Sequence, residues 1–353
     1  MRAYVLHAIE DFRMEEVPKP VPGAGEVLLA VKAAGICGSD IPRIYRTGTY
    51  SYPLVPGHEF SGVVVEAGIG VDREWLGRKA GVFPMIPCGH CAQCRQKKYE
   101  LCRSYGYLGS RTAGGFADYV TVPAWNLLEL PETVSFEAAA MMEPMAVAVH
   151  ALRNSGLMED RWKNRTMAIC GLGAIGLLLL MFMLENGASR VFVIGNKDNQ
   201  REIAESIGIE ENRFCDVRNE DADKWLMEKT GGEGVELYFD CVGSRETLLY
   251  GLQCTSPGSK IQLVGNPVSD MYVEKEIYWK ILRNQLTLSG SWNSSFSHSL
   301  EDDWHYVLRK LTEGRINPER LISHRFSLEE LVKGFELMRD KSEAYTKVIG
   351  KFY

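Results

Sequence analysis

Hydrophobic positions along this chain change period twice. Up to about residue 150 they come in short runs rich in β-branched residues: Leu28-Leu29-Ala30-Val31-Lys32-Ala33, Gly62-Val63-Val64-Val65-Glu66 and Tyr119-Val120-Thr121-Val122. Clusters of Pro and Gly break these runs apart, at Pro18-Lys19-Pro20, Pro22-Gly23, Pro53 and Pro56-Gly57. Many short strands with such turns predict a barrel or sandwich. Near residue 155 the pattern becomes an alternation of buried strands and helices. An apolar strand at 166–170 runs into Gly171-Leu172-Gly173-Ala174-Ile175-Gly176 and a long apolar helix ending near Gly187. The alternation continues through 190–194, 200–207, 224–229, 235–240, 246–253, 260–264 and 286–288. That order predicts a doubly wound parallel sheet with helices on both faces. After Ser291 the pattern changes again, to helices at 304–312 and 328–339 and a last strand at 345–352. This tail is expected to return to the first domain. The expected organisation is a β-rich domain over 1–154, a dinucleotide-binding domain over 155–291, and 292–353 back on the first.

Length agrees with two domains, since 353 residues stand against a prior of ~150 each. Net charge is -6, which argues against a nucleic-acid footprint. The chain enters a strand-like pattern at Met1-Arg2-Ala3-Tyr4 without an apolar leader, and the apolar run from Ala174 stops at Glu185. A bilayer takes ~20 apolar residues. A soluble cytoplasmic protein is expected. Nine cysteines are an odd number, and their spacing suits metal binding by reduced thiols better than disulfides. Charge runs such as Lys97-Lys98 and Glu301-Asp302-Asp303 read as solvated faces.

Two clusters carry metal chemistry. Cys37-Gly38-Ser39-Asp40 is followed by Gly57-His58-Glu59. Cys, His and Glu are ligands for a borderline-soft cation with an open position, and the Ser39 hydroxyl stands two residues from the first of them. A metal beside a hydroxyl can polarise an alcohol and take its proton. Glu143 sits in the apolar stretch around Met141-Met142-Glu143-Pro144, where a carboxylate needs a partner; a metal is one. The second cluster is Cys88, Cys91, Cys94 and Cys102, spaced C-x2-C-x2-C-x7-C. Four thiolates close a tetrahedral zinc shell, so this site is expected to be structural. An iron–sulfur cluster is the alternative for it.

The run Gly171-Leu172-Gly173-Ala174-Ile175-Gly176 is G-x-G-x-x-G in the strand–turn–helix context that dinucleotide binding requires. The expected cofactor contacts are Gly171, Gly173, Ala174, Ile175, Gly176, Gly195, Asn196, Lys197, Val242, Val264, Gly265, Gly290 and Ser291. No acidic residue ends the strand before Gly195-Asn196-Lys197, which leans towards NADP over NAD; Gly195 is expected to open space, with Lys197 and Arg201 near the phosphate. Arg43 and Arg111 are expected to bind a substrate phosphate, with Tyr50 and Trp292 as walls.

Ligand set, four-cysteine lobe and glycine fingerprint, standing in this order, resemble the zinc-dependent medium-chain dehydrogenases over essentially the whole chain. Cys37-Gly38-Ser39-Asp40, Gly57-His58-Glu59 and Glu143-Pro144 look like the polyol-dehydrogenase branch. The resemblance implies a GroES-like catalytic domain split around a Rossmann domain, and two zinc ions per chain. By it, Cys37, His58 and Glu143 hold the catalytic zinc, Glu59 lies near it and exchanges as a ligand, and Ser39 or water takes the proton. The implied reaction moves a hydride between a polyol, or polyol phosphate, and NAD(P). A homodimer or homotetramer is expected; a sorbitol-, threonine- or other alcohol-type dehydrogenase is the runner-up. Where relatives carry a proton-relaying His, this chain has Pro42. A zinc-ribbon nucleic-acid binder or a zinc-free quinone reductase would explain only part of these features.

Overall fold

The computed structural model describes residues 1–156 and 162–352. The chain divides into two compact units, Met1–Pro144 with Ser295–Tyr353, and Met145–Ser294. No helix among the described residues is long and apolar enough to cross a membrane.

The first unit is built on a seven-stranded sheet whose central strand is Glu26–Ile36. That strand runs antiparallel to Glu59–Ala67 on one side. On the other it pairs with Lys347–Lys351 at one end and Tyr119–Pro123 at the other. Its side chains are buried almost throughout, which explains the near-continuous apolar run where a half-exposed strand would alternate. The helix Leu331–Asp340 lays Phe335 edge-on against Phe116 and Phe12 at 5.2 and 4.9 Å. Truncating such a ring to Ala typically costs about 3–5 kcal/mol.

One charge run is not a solvated face. Asp302 and Asp303 are buried, because their carboxylates accept from the backbone N–H groups of His305 and Ser297, and of Ser295. Asp302 caps the helix Asp303–Thr312.

The second unit is a six-stranded sheet, parallel throughout. Its order is Phe214–Asp216, Arg190–Gly195, Thr166–Cys170, Val235–Asp240, Thr255–Leu263, Thr287–Gly290. The chain reverses direction of growth between Thr166–Cys170 and Val235–Asp240, and such a switch point forms the crevice for a dinucleotide. The helix Ala174–Glu185 is buried from Gly176 to Met183, so its composition is apolar all round. Phe214–Asp216 and the helix Lys275–Arg283 were not legible in the hydrophobic pattern. The strand is too short to show a period. The helix carries Tyr278, Trp279 and Leu282 on exposed positions, which blurs its polar face.

Candidate metal and dinucleotide sites

Strand register brings Cys37, His58 and Glu59 together. Gly35 stands opposite Glu59, and Ile36 stands opposite Val348. Cys37 therefore leaves one strand end where Glu59 and Lys347 begin their own strands. The Sγ of Cys37, a ring nitrogen of His58 and a carboxylate oxygen of Glu59 all lie within 4.8 Å of one another. A thiolate, an imidazole and a carboxylate at that spacing fit a zinc ion, whose bonds to them are about 2.0–2.3 Å. The Ser39 hydroxyl is 3.2 Å from Cys37 Sγ. Glu143 is buried nearby but outside the three-atom set; its Oε1 accepts from the Tyr107 hydroxyl at 3.3 Å. Burial pushes the Glu143 carboxyl up to about 7, against the opposing charge of His58.

Around these donors stands a shell of buried charge. Asp40 is fully buried; its Oδ2 accepts from the Cys37 N–H at 3.0 Å and its Oδ1 pairs with Arg43 at 2.6 Å. His58 Nδ1 lies 3.5 Å from the same carboxylate, a Coulomb contact too long and misaligned for a hydrogen bond. Burial lowers the basicity of His58, but the charges of Asp40 and Cys37 outweigh it and hold the ring pKa well above its usual value. Burial works against the Asp40 carboxylate too, yet His58 and Arg43 keep its pKa below the ordinary range. Glu59 is paired with Lys347, whose Nζ also donates to the Ile36 carbonyl at 3.2 Å. Asp40, Tyr107 and Lys347 are the members of this shell that sequence reasoning missed. Asp40 had a signal, since an acid three residues after a ligand can turn back on the ligand's N–H. Lys347 had none.

The four-cysteine lobe is equally compact. Its sulfurs lie within 4.8 Å of one another, with 3.5 Å between Cys91 and Cys94, 3.9 Å between Cys88 and Cys94, and 4.0 Å between Cys91 and Cys102. Tetrahedral zinc with ~2.3 Å bonds separates its sulfurs by about 3.8 Å. The N–H groups of Cys94 and Arg103 draw the Cys91 thiol down to about 6, while burial pushes Cys94 up to about 12. All nine cysteines are free thiols.

In the second unit, Gly171 takes φ 93° at the end of Thr166–Cys170. A Cβ there would strike Val242, which follows Val235–Asp240 across the switch point. Gly176 packs its helix against the Gly171 carbonyl in the same way. Gly173 caps the helix with no side chain, which leaves the first N–H groups of the helix available to an anion. Asp240 accepts from the N–H groups of Val242 and Gly243, both at 3.0 Å, and its carbonyl accepts from Val264 and Gly265. Ser291 Oγ is a buried hydroxyl with no partner among the described residues. Gly195 does not open space beside its Cα: Gln200 Oε1 and the Phe214 ring would each lie 2.9 Å from an added Cβ. Arg201 stacks over Phe214 at 4.6 Å. Arg218, which the sequence did not point to, bridges Asp216 and Asp198 beside the helix that Lys197 opens.

Of the residues expected at the substrate, Tyr50 and Arg111 stand together and Arg43 has a carboxylate partner in Asp40. Tyr50 and Arg111 meet each other, the guanidinium lying 4.0 Å over the ring. Trp292 belongs to the second unit, where it is about half exposed.

Comparison with known proteins agrees with both halves of this picture. Residues 23–132 match the alcohol dehydrogenase GroES-like domain, and residues 174–313 match the zinc-binding dehydrogenase domain. Galactitol 1-phosphate 5-dehydrogenase of Escherichia coli (strain K12) is 31% identical over 320 residues, 90% of each chain. L-threonine 3-dehydrogenase of Pyrococcus horikoshii is 32% identical over 330 residues, 92% of this chain and 91% of that one. The crystal structure of galactitol-1-phosphate dehydrogenase from Escherichia coli superposes with a TM-score of 0.91 at 29% identity, covering 99% of this chain and 100% of that chain.

Proposed function

Because the chain belongs to the zinc-dependent medium-chain dehydrogenase family, an NAD(P)-linked group acting on alcohols, we propose that it oxidises a polyol or polyol phosphate at a secondary hydroxyl. The observation that carries this reading is the convergence of Cys37, His58 and Glu59 within 4.8 Å, with the Ser39 hydroxyl beside them. Cys37, His58 and Glu143 would hold the catalytic zinc, with Glu59 as an exchangeable neighbour. When bound, that zinc supplies Lewis acidity to the substrate hydroxyl and the nicotinamide accepts the hydride. Ser39 receives the hydroxyl proton. Asp40 fixes the Cys37 loop and balances the charge of His58. Tyr107 donates to Glu143 and so fixes the position of its carboxyl. Pro42, at the end of the short helix Asp40–Pro42, carries no exchangeable proton, so the proton leaves Ser39 through water or another group.

A second zinc belongs in the lobe of Cys88, Cys91, Cys94 and Cys102, where it is structural. The expected domain split at 154/155 and 291/292 lies within about ten residues of the boundaries between the two compact units, and in this reading the first unit carries catalysis and the second the dinucleotide. Gly171, Gly173, Ala174, Ile175 and Gly176 take the pyrophosphate, and Gly195, Asn196 and Lys197 the adenosine ribose. Val242, Val264, Gly265, Gly290 and Ser291 line the nicotinamide end. NADP is the preferred cofactor in this reading, supported by the lack of a carboxylate at the end of Arg190–Gly195. Exposed Val268, Tyr272, Tyr278, Trp279 and Leu282, with the edge strand Thr287–Gly290, support a homodimer or homotetramer. Nine free thiols support a cytoplasmic location.

The experiment is metal analysis together with a screen of polyols, polyol phosphates and L-threonine, each with NAD and NADP. Two zinc ions per chain and turnover of a polyol-type alcohol are expected. Turnover of L-threonine alone would move the enzyme to the runner-up branch.

A further inference from the structure

We propose that Arg111, set against the rings of Tyr50 and Tyr105, is an anion receptor on the rim of the metal site and selects alcohols that carry a phosphate or carboxylate group. The proposal rests on the polyol dehydrogenase reading and narrows its substrate class. The guanidinium lies over the Tyr50 ring at 4.0 Å and over the Tyr105 ring at 4.6 Å. Contact with aromatic rings leaves the N–H groups of the guanidinium unused for hydrogen bonding. Among the described residues no carboxylate or carbonyl meets those groups; Arg111 is an exposed cation with aromatic partners only.

The clamp is built in advance of any ligand. Thr49 Oγ1 donates to the Ser110 carbonyl at 2.8 Å, which ties the Tyr50 loop to the Arg111 loop. The Arg111 N–H donates to the Tyr107 carbonyl at 2.9 Å, and the Gly109 N–H to that of Thr112 at 2.8 Å. Tyr50 is 70% exposed, so burial of its ring does not account for its position. Pre-ordering these side chains removes much of the entropy cost of fixing an arginine on an anion.

The clamp also lies close to the metal donors. From Tyr105 a ring contact of 6.2 Å leads to Tyr107, and one of 5.9 Å leads on to His58. Gly109 and Gly114 press directly on the backbone of Gly57, the residue before His58. Two buried carboxylates of this site already have cationic partners, Asp40 in Arg43 and Glu59 in Lys347. Arg111, by contrast, has no carboxylate partner among the described residues. Two tyrosine rings stand between it and His58, so the anion it takes stands several carbons from the reacting hydroxyl.

The test uses the zinc-loaded holoenzyme and three alcohols of one skeleton: a hexitol, its terminal phosphate ester and the matching aldonate. The kcat/KM for one of the anionic alcohols should exceed that for the free hexitol by roughly tenfold to a hundredfold, through KM. Arg111→Gln should bring that ratio towards one, Arg111→Lys should restore part of it, and Tyr105→Leu should lower it partway. The phosphate and carboxylate arms identify the anion. A parent ratio near one, or a ratio that survives Arg111→Gln, overturns the proposal and leaves the polyol reading standing. If none of the three is oxidised with either cofactor, the polyol reading fails, and titration with inorganic phosphate followed by phosphorus NMR decides the receptor separately. Line broadening lost in Arg111→Gln supports it; no broadening, or equal broadening in both proteins, overturns it.

Discussion

Lys347 and Glu59 form an ion pair sealed from solvent, with side chains 3% and 2% exposed, although they stand 288 residues apart in the chain. Gly35 is packed against both, and a Cβ there would strike the Glu59 carboxylate and the Lys347 stem. Breaking a buried pair from one side leaves an uncompensated charge, at a cost of about 3–5 kcal/mol. Lys347→Met should lower the unfolding free energy of the apoprotein by that order, and Lys347→Met with Glu59→Gln should recover much of it. Denaturant unfolding of the three proteins checks this. A single variant as stable as the parent would show that the pair does not hold the site together.

Metal content separates the two cysteine clusters. Cys94→Ser should remove one zinc per chain and lower the thermal midpoint, because structural zinc contributes folding free energy directly. Cys37→Ser should remove the other and abolish turnover while the midpoint stays near that of the parent. Emission spectrometry on dialysed protein, read beside a melting curve, gives both numbers. Turnover lost with zinc fully retained in Cys37→Ser would contradict the ligand assignment.

Asp40 touches the site at three points, through the Cys37 N–H, Arg43 and His58. Groups that orient metal ligands typically matter 10–100-fold in metal affinity. Asp40→Asn keeps a carbonyl acceptor but loses the charge, and should weaken zinc binding at the catalytic site by about that factor. Competition with a chromophoric chelator measures it without reference to turnover. Unchanged affinity would mean that Asp40 serves the backbone turn alone.

Acid should act on the second unit through Asp216. Hydrogen bonds from Arg218 hold its carboxyl at about 2, below the ordinary 3.8. A lowered folded value stabilises the protein above the unfolded value, and that contribution fades as pH falls from ~4 towards the folded value. Arg218→Gln should therefore be less stable than the parent at neutral pH, and the gap should narrow below pH ~4. Urea unfolding across a pH series reads the gap directly; a constant difference would assign the loss to packing.

What the sequence revealed was local. The strand Thr166–Cys170 and the glycines after it were legible because a tight turn, a close helix and an exposed N-terminus each demand their residue types within a few positions. The cysteine lobe was legible from spacing alone. Cys37 and Glu59 were legible as chemistry, but only the register of Glu26–Ile36 with Glu59–Ala67 puts them side by side. Lys347 was invisible, since nothing near it in the chain reports a partner so far away. Asp302 and Asp303 misled, because helix-capping acids and a solvated charge run look alike until the backbone they serve is seen. Gly195 misled in a similar way: the absence of a side chain there was read as room, and Gln200 and Phe214 occupy the place.

The contact of Gly109 and Gly114 with Gly57 also bears on how such an enzyme can change. These glycines cannot accept a side chain without displacing the backbone beside His58, so they are fixed points. Arg111, Thr112 and Ala113 stand between them on exposed positions, free of that constraint. Mutation can therefore try one side chain after another at the rim while the metal donors keep their places. A lineage built on this joint can change what it recognises in single steps without first losing its chemistry.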